Sequence, residues 1–279
     1  MPNPPGYLSP PLLSRWLSRV VLYPSKHLID PGGAERRDIT VAGATLSMFV
    51  KRSPGCAGRG PAVFDLQFSG NGSRAEKFTW QAAEAWGDRP VEVCGLNYPG
   101  YGGSTGPASL GALVESGLMA FDAVAAVAGD RPVVLGCHSI GCAVGLHVAA
   151  RRPAAGIVLL NPPPLRHLIH RHYGPRFLWL GPAVVASQIP PELDSLRNAA
   201  ACRAPAMFFS GRSDRIVPPR FHRMVFDVYA GPKQMVELPD ARHNSFPDSE
   251  DERTRAAMAW FWKRVNDTPA DTGIGTHPV

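Results

Sequence analysis

Residues 132–145 read PVVLGCHSIGCAVG. Pro132 opens a short apolar run from Val133 to Gly136, and from Ile140 small and apolar residues continue as a helix to about Arg151. Ser139 stands on the turn between strand and helix. Such a turn strains its central residue and brings the flanking chains close, so it needs small neighbours. Gly141 supplies one two positions after Ser139. Two positions before, Cys137 stands where G-x-S-x-G turns carry glycine, with Gly136 one further back. Cysteine is small enough for the turn to form. A serine here can simply cap a helix, so the rest of the chain decides whether it does more.

Outward from this turn, short apolar runs alternate with longer helical patterns. That is the form of βαβ units and a mostly parallel sheet. Arg37 to Val41 and Thr45 to Lys51 read as an opening hairpin with Gly43 in its turn. AVFDLQF from Ala62 is a buried strand running into the small-residue loop SGNGS (Ser69–Ser73), then a helix through Trp80 and Trp86. VEVCGLNY from Val91 is the next strand, followed by the turn-rich PGYGGSTG and a helix from about Ser109 to Val127. Beyond the Ser139 turn, GIVLL from Gly156 is a strand ending at Asn161 and three prolines. Residues 163–200 break the alternation and are expected to form a small lid-like insertion after the sixth strand. AMFFSG is a strand, PPRFHRMVFDVYA a helix and QMVEL the last strand. DSEDERTRAAMAWFWKRV reads as a closing helix, acidic in its first turn and basic in its last, as the helix dipole favours.

A serine hydroxyl is a weak nucleophile that needs a base and a group to orient that base. In open α/β sheets such groups converge at the carboxyl ends of the strands. Asp214 follows AMFFSG in GRSDRIVPP, and His243 follows QMVEL in PDARHNS. Taken singly, each is an ordinary loop residue. Together they give the chain order Ser, Asp, His, each just past a predicted strand. An acyl-transfer intermediate also needs N–H donors aimed at its negative oxygen. Ile140, the residue after Ser139, is one candidate. Asn71 is the other, with Gly70 beside it as a substitute. His138 and Tyr98 are candidates for lining the site.

With these residues in place, the chain resembles the α/β-hydrolase superfamily. Within it, the chain is similar to compact abhydrolase-domain serine hydrolases related to serine-aminopeptidase-like sequences, which include protein depalmitoylases. Their HGN loop is matched by Ser69-Gly70-Asn71 and their YRGYGxSxG turn by YPGYGGSTG (Tyr98–Gly106). Their GxSIG elbow is matched by Ser139-Ile140-Gly141. GxxDxxVP is matched by Gly211, Asp214, Val217 and Pro218, and GxxHN by His243 and Asn244. The resemblance runs from about Arg36 to Val265 and departs from the pattern at Cys137 and Ser69. It implies an α/β-hydrolase fold, with a mostly parallel, eight-stranded sheet flanked by helices. It further implies a serine hydrolase cleaving an ester or thioester through an acyl-enzyme on Ser139. The two departures motivate another reading, a non-catalytic binding protein of this fold. An acyltransferase using the same acyl-enzyme is the third.

The 279 residues fit one large domain (residues 36–265) between an N-terminal segment (1–35) and a polar, flexible tail (266–279). Leu12 to Leu22 places its apolar residues on one helical face with Arg15 and Arg19 opposite. The segment is expected to pack on the domain, with weak peripheral membrane contact as the minor reading. No uninterrupted apolar run reaches the length of a bilayer span, and the N-terminus lacks a secretory signal pattern. Net charge is +6, without a dense basic run interleaved with aromatics, so nucleic acid is not an expected partner. Five scattered cysteines describe neither a disulfide framework nor a zinc site, and fit a reducing, cytoplasmic setting. His167, His170 and His172 have no carboxylate or cysteine paired with them and are read as surface or lid residues. No metal or cofactor is expected, and the expected partner is a small-molecule or acylated substrate.

Overall fold

The computed structural model describes residue 18 and residues 21–41, 44–173 and 189–267. β1 (Glu35–Val41) and β2 (Ala44–Arg52) form the opening hairpin, with Val41 opposite Ala44. β3 (Val63–Phe68), β4 (Val91–Leu96), β5 (Val133–His138), β6 (Gly156–Leu160), β7 (Ala206–Gly211) and β8 (Lys233–Leu238) follow. They make one eight-stranded sheet in the order β1-β2-β4-β3-β5-β6-β7-β8. β2 pairs antiparallel with β1 and β4, and the remaining pairs are parallel.

Among the described residues that follow β3, the α-helices are α1 (Ala75–Ala85), α2 (Leu110–Ala128), α3 (Ile140–Ala149), α4 (Leu165–Tyr173), α5 (Ser195–Ala201), α6 (Pro219–Val228) and α7 (Glu252–Asp267). The central strands are largely apolar on both faces because both are covered, as parallel sheets require. Alternation along β7 shows the division. Phe208 joins the core that holds Leu66, Leu135 and Leu159, and meets Phe226 of α6 edge-on at 5.2 Å. Its neighbours Met207 and Phe209 belong to the opposite core, with Phe261 and Trp262 of α7. α2 is long and apolar enough to cross a bilayer by length and composition. Its Leu110, Leu113, Phe121 and Val124 are instead buried in the core against the sheet.

Several boundaries differ from the sequence expectation. α7 starts at Glu252 rather than near Asp248, because Asp251 caps it: its Oδ2 accepts the Thr254 N–H at 3.0 Å. α6 ends at Val228, two residues early. The expected insertion is helical on both flanks, as α4 and α5, and residues 167, 170 and 172 fall on α4 rather than in irregular chain. Its middle, residues 174–188, lies outside the described residues. So do most of the expected N-terminal helix and residues 268–279 of the tail.

Residues 21–27 lie against the loops that follow β3 and β4. Leu22 is buried in the core. The Tyr23 N–H donates to Asn71 Oδ1 at 2.9 Å, and Asn71 Nδ2 donates to the Val21 carbonyl. Arg74, buried beside Glu76, donates from Nη1 to the Ser25 and His27 carbonyls at 2.9 and 3.1 Å.

Candidate active site

The carboxyl ends of β5, β7 and β8 bring three of the sequence-predicted residues together. Ser139 follows β5 directly and precedes α3, with φ 54° and ψ −124°. A non-glycine residue at positive φ is costly, and such strain collects where the surroundings enforce it. The enforcement is visible. The Ser139 N–H donates to the Leu160 carbonyl at 3.0 Å, tying the turn to the end of β6. Behind it, α3 packs so closely on the end of β3 that a Cβ on Gly141 would lie 2.1 Å from the Phe68 carbonyl oxygen.

The cysteine in the glycine position is accommodated from the helix side. A Cβ on Gly145 would lie 2.2 Å from Cys137 Sγ. The thiol occupies the space that Gly145 leaves empty on α3. The motif's missing glycine is thus replaced by another, eight residues later.

His243, on the loop after β8, places Nε2 2.9 Å from Ser139 Oγ and Nδ1 2.7 Å from Asp214 Oδ2. All three residues are buried. Asp214 Oδ1 accepts the N–H groups of Ile216 and Val217 at 2.8 and 2.9 Å. Burial pushes the Asp214 carboxyl up, but the contacts with His222, His243 and the Val217 N–H outweigh it. The group is held below the usual carboxylate range.

The other candidates fall around this chain. The Ile140 N–H lies in the first turn of α3, where backbone donors have no intrahelical acceptor. Gly70 lies against the turn: a Cβ there would sit 2.8 Å from His138 Nδ1 and 3.3 Å from Ser139 Cβ. Asn71 follows, its side chain committed to residues 21 and 23 and to the Tyr101 hydroxyl. Tyr98 is buried in the core and packs edge-on against Tyr101 at 6.2 Å.

The His138 ring lies tilted against its neighbours, its centroid 5.1 Å from the His243 ring and 5.7 Å from Phe246. Its Nε2 is 2.9 Å from the His243 carbonyl oxygen, which only accepts, so Nε2 carries the proton. Burial pushes this imidazole down to about 4. It is therefore neutral near pH 7 and places no positive charge beside His243.

Asn161 was not singled out in the sequence. It sits just past β6 at φ 53°, a second non-glycine residue in the left-handed region. Its side chain accepts the Gly211 N–H at 2.8 Å and donates to the His243 carbonyl at 2.9 Å. One amide thereby joins the ends of β6 and β7 to the histidine loop. The signal was an asparagine between a strand and a proline run, a residue type that tolerates this conformation.

No family model matches the chain. An uncharacterised protein of Mycobacterium tuberculosis, found in two strains, is 28% identical over 204 residues. That match covers 67% of this chain and 64% of the relative, so it spans less than two thirds of the relative's length. Among solved structures, Est1E from Butyrivibrio proteoclasticus with ferulic acid bound is similar at TM-score 0.65 and 16% identity. It covers 82% of this chain and 99% of its own. The Pyrococcus furiosus esterase Pf2001 has TM-score 0.63 and 15% identity, covering 88% and 98%. Acetyl xylan esterase 1 from a Thermoanaerobacterium species has TM-score 0.55 and 15% identity, covering 91% and 94%. At such identities the likeness speaks to architecture alone. Together with the eight-stranded, mostly parallel sheet flanked by helices, it shows that this chain has the α/β-hydrolase fold.

Proposed function

We propose that this protein is a serine hydrolase that cleaves an ester or thioester through an acyl-enzyme on Ser139. The observation that carries the reading is the unbroken chain Ser139 Oγ–His243–Asp214, with 2.9 and 2.7 Å links, at a strained turn. In this reading His243 Nε2 takes the hydroxyl proton as Oγ attacks the acyl carbon. It then gives that proton to the leaving alcohol or thiol. Asp214, acceptor-only while ionised, fixes the Nδ1–H tautomer and faces the imidazolium as it forms. The N–H groups of Ile140 and Asn71 receive the oxyanion. Water, activated by the same histidine, releases the acid. That Est1E was solved with ferulic acid, and that two of the similar structures are esterases, supports ester cleavage. The closer resemblance to abhydrolase-domain, depalmitoylase-like enzymes rests on the motifs around Asn71, Tyr98 and Ser139, and extends the proposal to thioesters.

The test is labelling by a fluorophosphonate probe together with hydrolysis of p-nitrophenyl esters of increasing chain length. Wild type is expected to label and turn over. Ser139→Ala is expected to lose labelling and to fall by about 10⁴-fold or more in kcat. Equal labelling of the two proteins would overturn the assignment. Added alcohols or amines that appear in the product would make the enzyme an acyltransferase instead.

A further inference from the structure

His222 belongs to α6, the helix that follows the acid loop. It lies on that helix's buried face with Phe221 and Val225. The imidazole is fully buried, and its Nε2 has no hydrogen-bond partner among the described residues. A buried polar atom without a partner is costly, and such atoms call for an explanation. Its nearest charged neighbour supplies one. Nε2 lies 3.5 Å from Asp214 Oδ2, the oxygen that His243 Nδ1 approaches at 2.7 Å from its own loop. At 3.5 Å the contact is longer than a formed hydrogen bond, as catalytic contacts often are before substrate binds. On its other side, His222 Nδ1 is 2.8 Å from Ser210 Oγ, at the end of β7.

These contacts settle where one ring proton must sit. An ionised carboxylate only accepts, so the nitrogen facing Asp214 has to carry hydrogen. In the neutral ring Nδ1 is then an acceptor, and the Ser210 hydroxyl is its donor. The opposite tautomer would point a nitrogen lone pair at a carboxylate in a buried site.

We propose that His222 is a positioning residue for the acid, its Nε2–H facing Asp214 Oδ2 beside His243 while the Ser210 hydroxyl donates to Nδ1 and holds the ring. The chain of polar contacts then runs Ser210–His222–Asp214–His243–Ser139, with the His222–Asp214 link the long one. Its catalytic consequence rests on the proposed roles of Ser139, His243 and Asp214. The groups facing the Asp214 carboxyl are His243 and His222, the N–H groups of Ile216 and Val217, and His138 further off. Removing the His222 donor leaves Asp214 more basic and less firmly oriented. The less neutralised carboxylate then acts more strongly on His243, which is also aimed less well.

The experiment uses the full chain. Long-range proton–nitrogen NMR of the imidazoles at neutral pH is expected to show His222 protonated at Nε2 and bare at Nδ1. With p-nitrophenyl acetate, His222→Phe is expected to lower kcat about tenfold with KM within twofold. It should also move the acid limb of kcat/KM to higher pH. His222→Gln, which can still donate, should recover kcat to within about threefold of wild type. Ser210→Ala should shift the acid limb in the same direction as His222→Phe, by less. An Nδ1-protonated His222 in the wild type would overturn the proposal. So would a folded His222→Phe protein with wild-type kcat and limb, or a His222→Gln protein no better than His222→Phe. If His222→Phe does not fold, Ser210→Ala decides: an unchanged limb with an unchanged tautomer overturns it. A wild type that neither labels nor hydrolyses fails the functional reading instead, while the NMR result still decides the tautomer.

Discussion

Asn161 shows how much one side chain can hold. Its amide satisfies the Gly211 N–H and grips the carbonyl of His243, while its backbone stays in the left-handed region at φ 53°. Asparagine tolerates that region better than alanine does, and glycine better still. Asn161→Ala is therefore expected to cost about 2–4 kcal/mol, combining backbone strain with a buried N–H left unpaired. Asn161→Gly should recover the strain component, about 1 kcal/mol, and nothing of the hydrogen bonds. Urea melts of the two variants check this. Both should lower kcat, because the His243 carbonyl loses one of the two side-chain donors it has among the described residues, while His138 keeps the other. The residues that carry charge or a lone pair into the site were legible from type and order, as Ser139, Asp214 and His243. Those that hold them were not. Asn161 and His222 act through partners 50 and 82 residues away for Asn161, and through a helix face for His222, and no local spacing encodes either contact.

Between elements, the packing of α3 on β5 turns on an exchange of volume. Cys137 fills the gap at Gly145, so the two positions are coupled. An exposed helical glycine usually gains about 1 kcal/mol on replacement by alanine. At Gly145 the sign should reverse. A Cβ 2.2 Å from a thiol sulphur must displace it, and overpacking of this kind costs about 1–3 kcal/mol. The double variant Cys137→Gly/Gly145→Ala should recover most of the loss, and denaturant melts of both singles and the double measure the coupling. The elements themselves were readable because their periods differ. Short apolar strands such as GIVLL and AMFFSG are found at Gly156–Leu160 and Ala206–Gly211. Ends were less readable. The run Asp248–Asp251 looked like a first helical turn, yet acidic residues before a helix serve equally as its cap, and Asp251 does so.

Across the whole molecule, stability carries the mark of a buried carboxylate outside the triad. Asp65, on β3, is almost fully buried, accepting from Trp86 Nε1 at 2.8 Å and Gln67 Nε2 at 2.6 Å. Burial pushes this carboxyl up to about 6, against the two hydrogen bonds. An unfolded aspartate titrates at about 3.9, so between about pH 4 and 6 the folded chain binds the extra proton. Stability from this group is therefore greatest at low pH and is lost as pH rises through 6, a change of up to about 3 kcal/mol. Asp65→Asn should flatten that slope, and urea melts at pH 4.5 and 7.5 compare it with wild type. The run AVFDLQF already reads as a buried strand, but nothing in it gives the partner that Asp65 finds in Trp86, 21 residues on. The two-sided burial of the sheet also has a use in timing. All five cysteines are free and buried: Cys56 and Cys94 near the β2–β4 side, and Cys137, Cys142 and Cys202 around α3. A thiol reagent reaches each sulphur only when the chain around it opens. Mass spectrometry of labelled peptides over minutes to hours would then read five internal stopwatches. Their order would tell which half of the sheet lets go first.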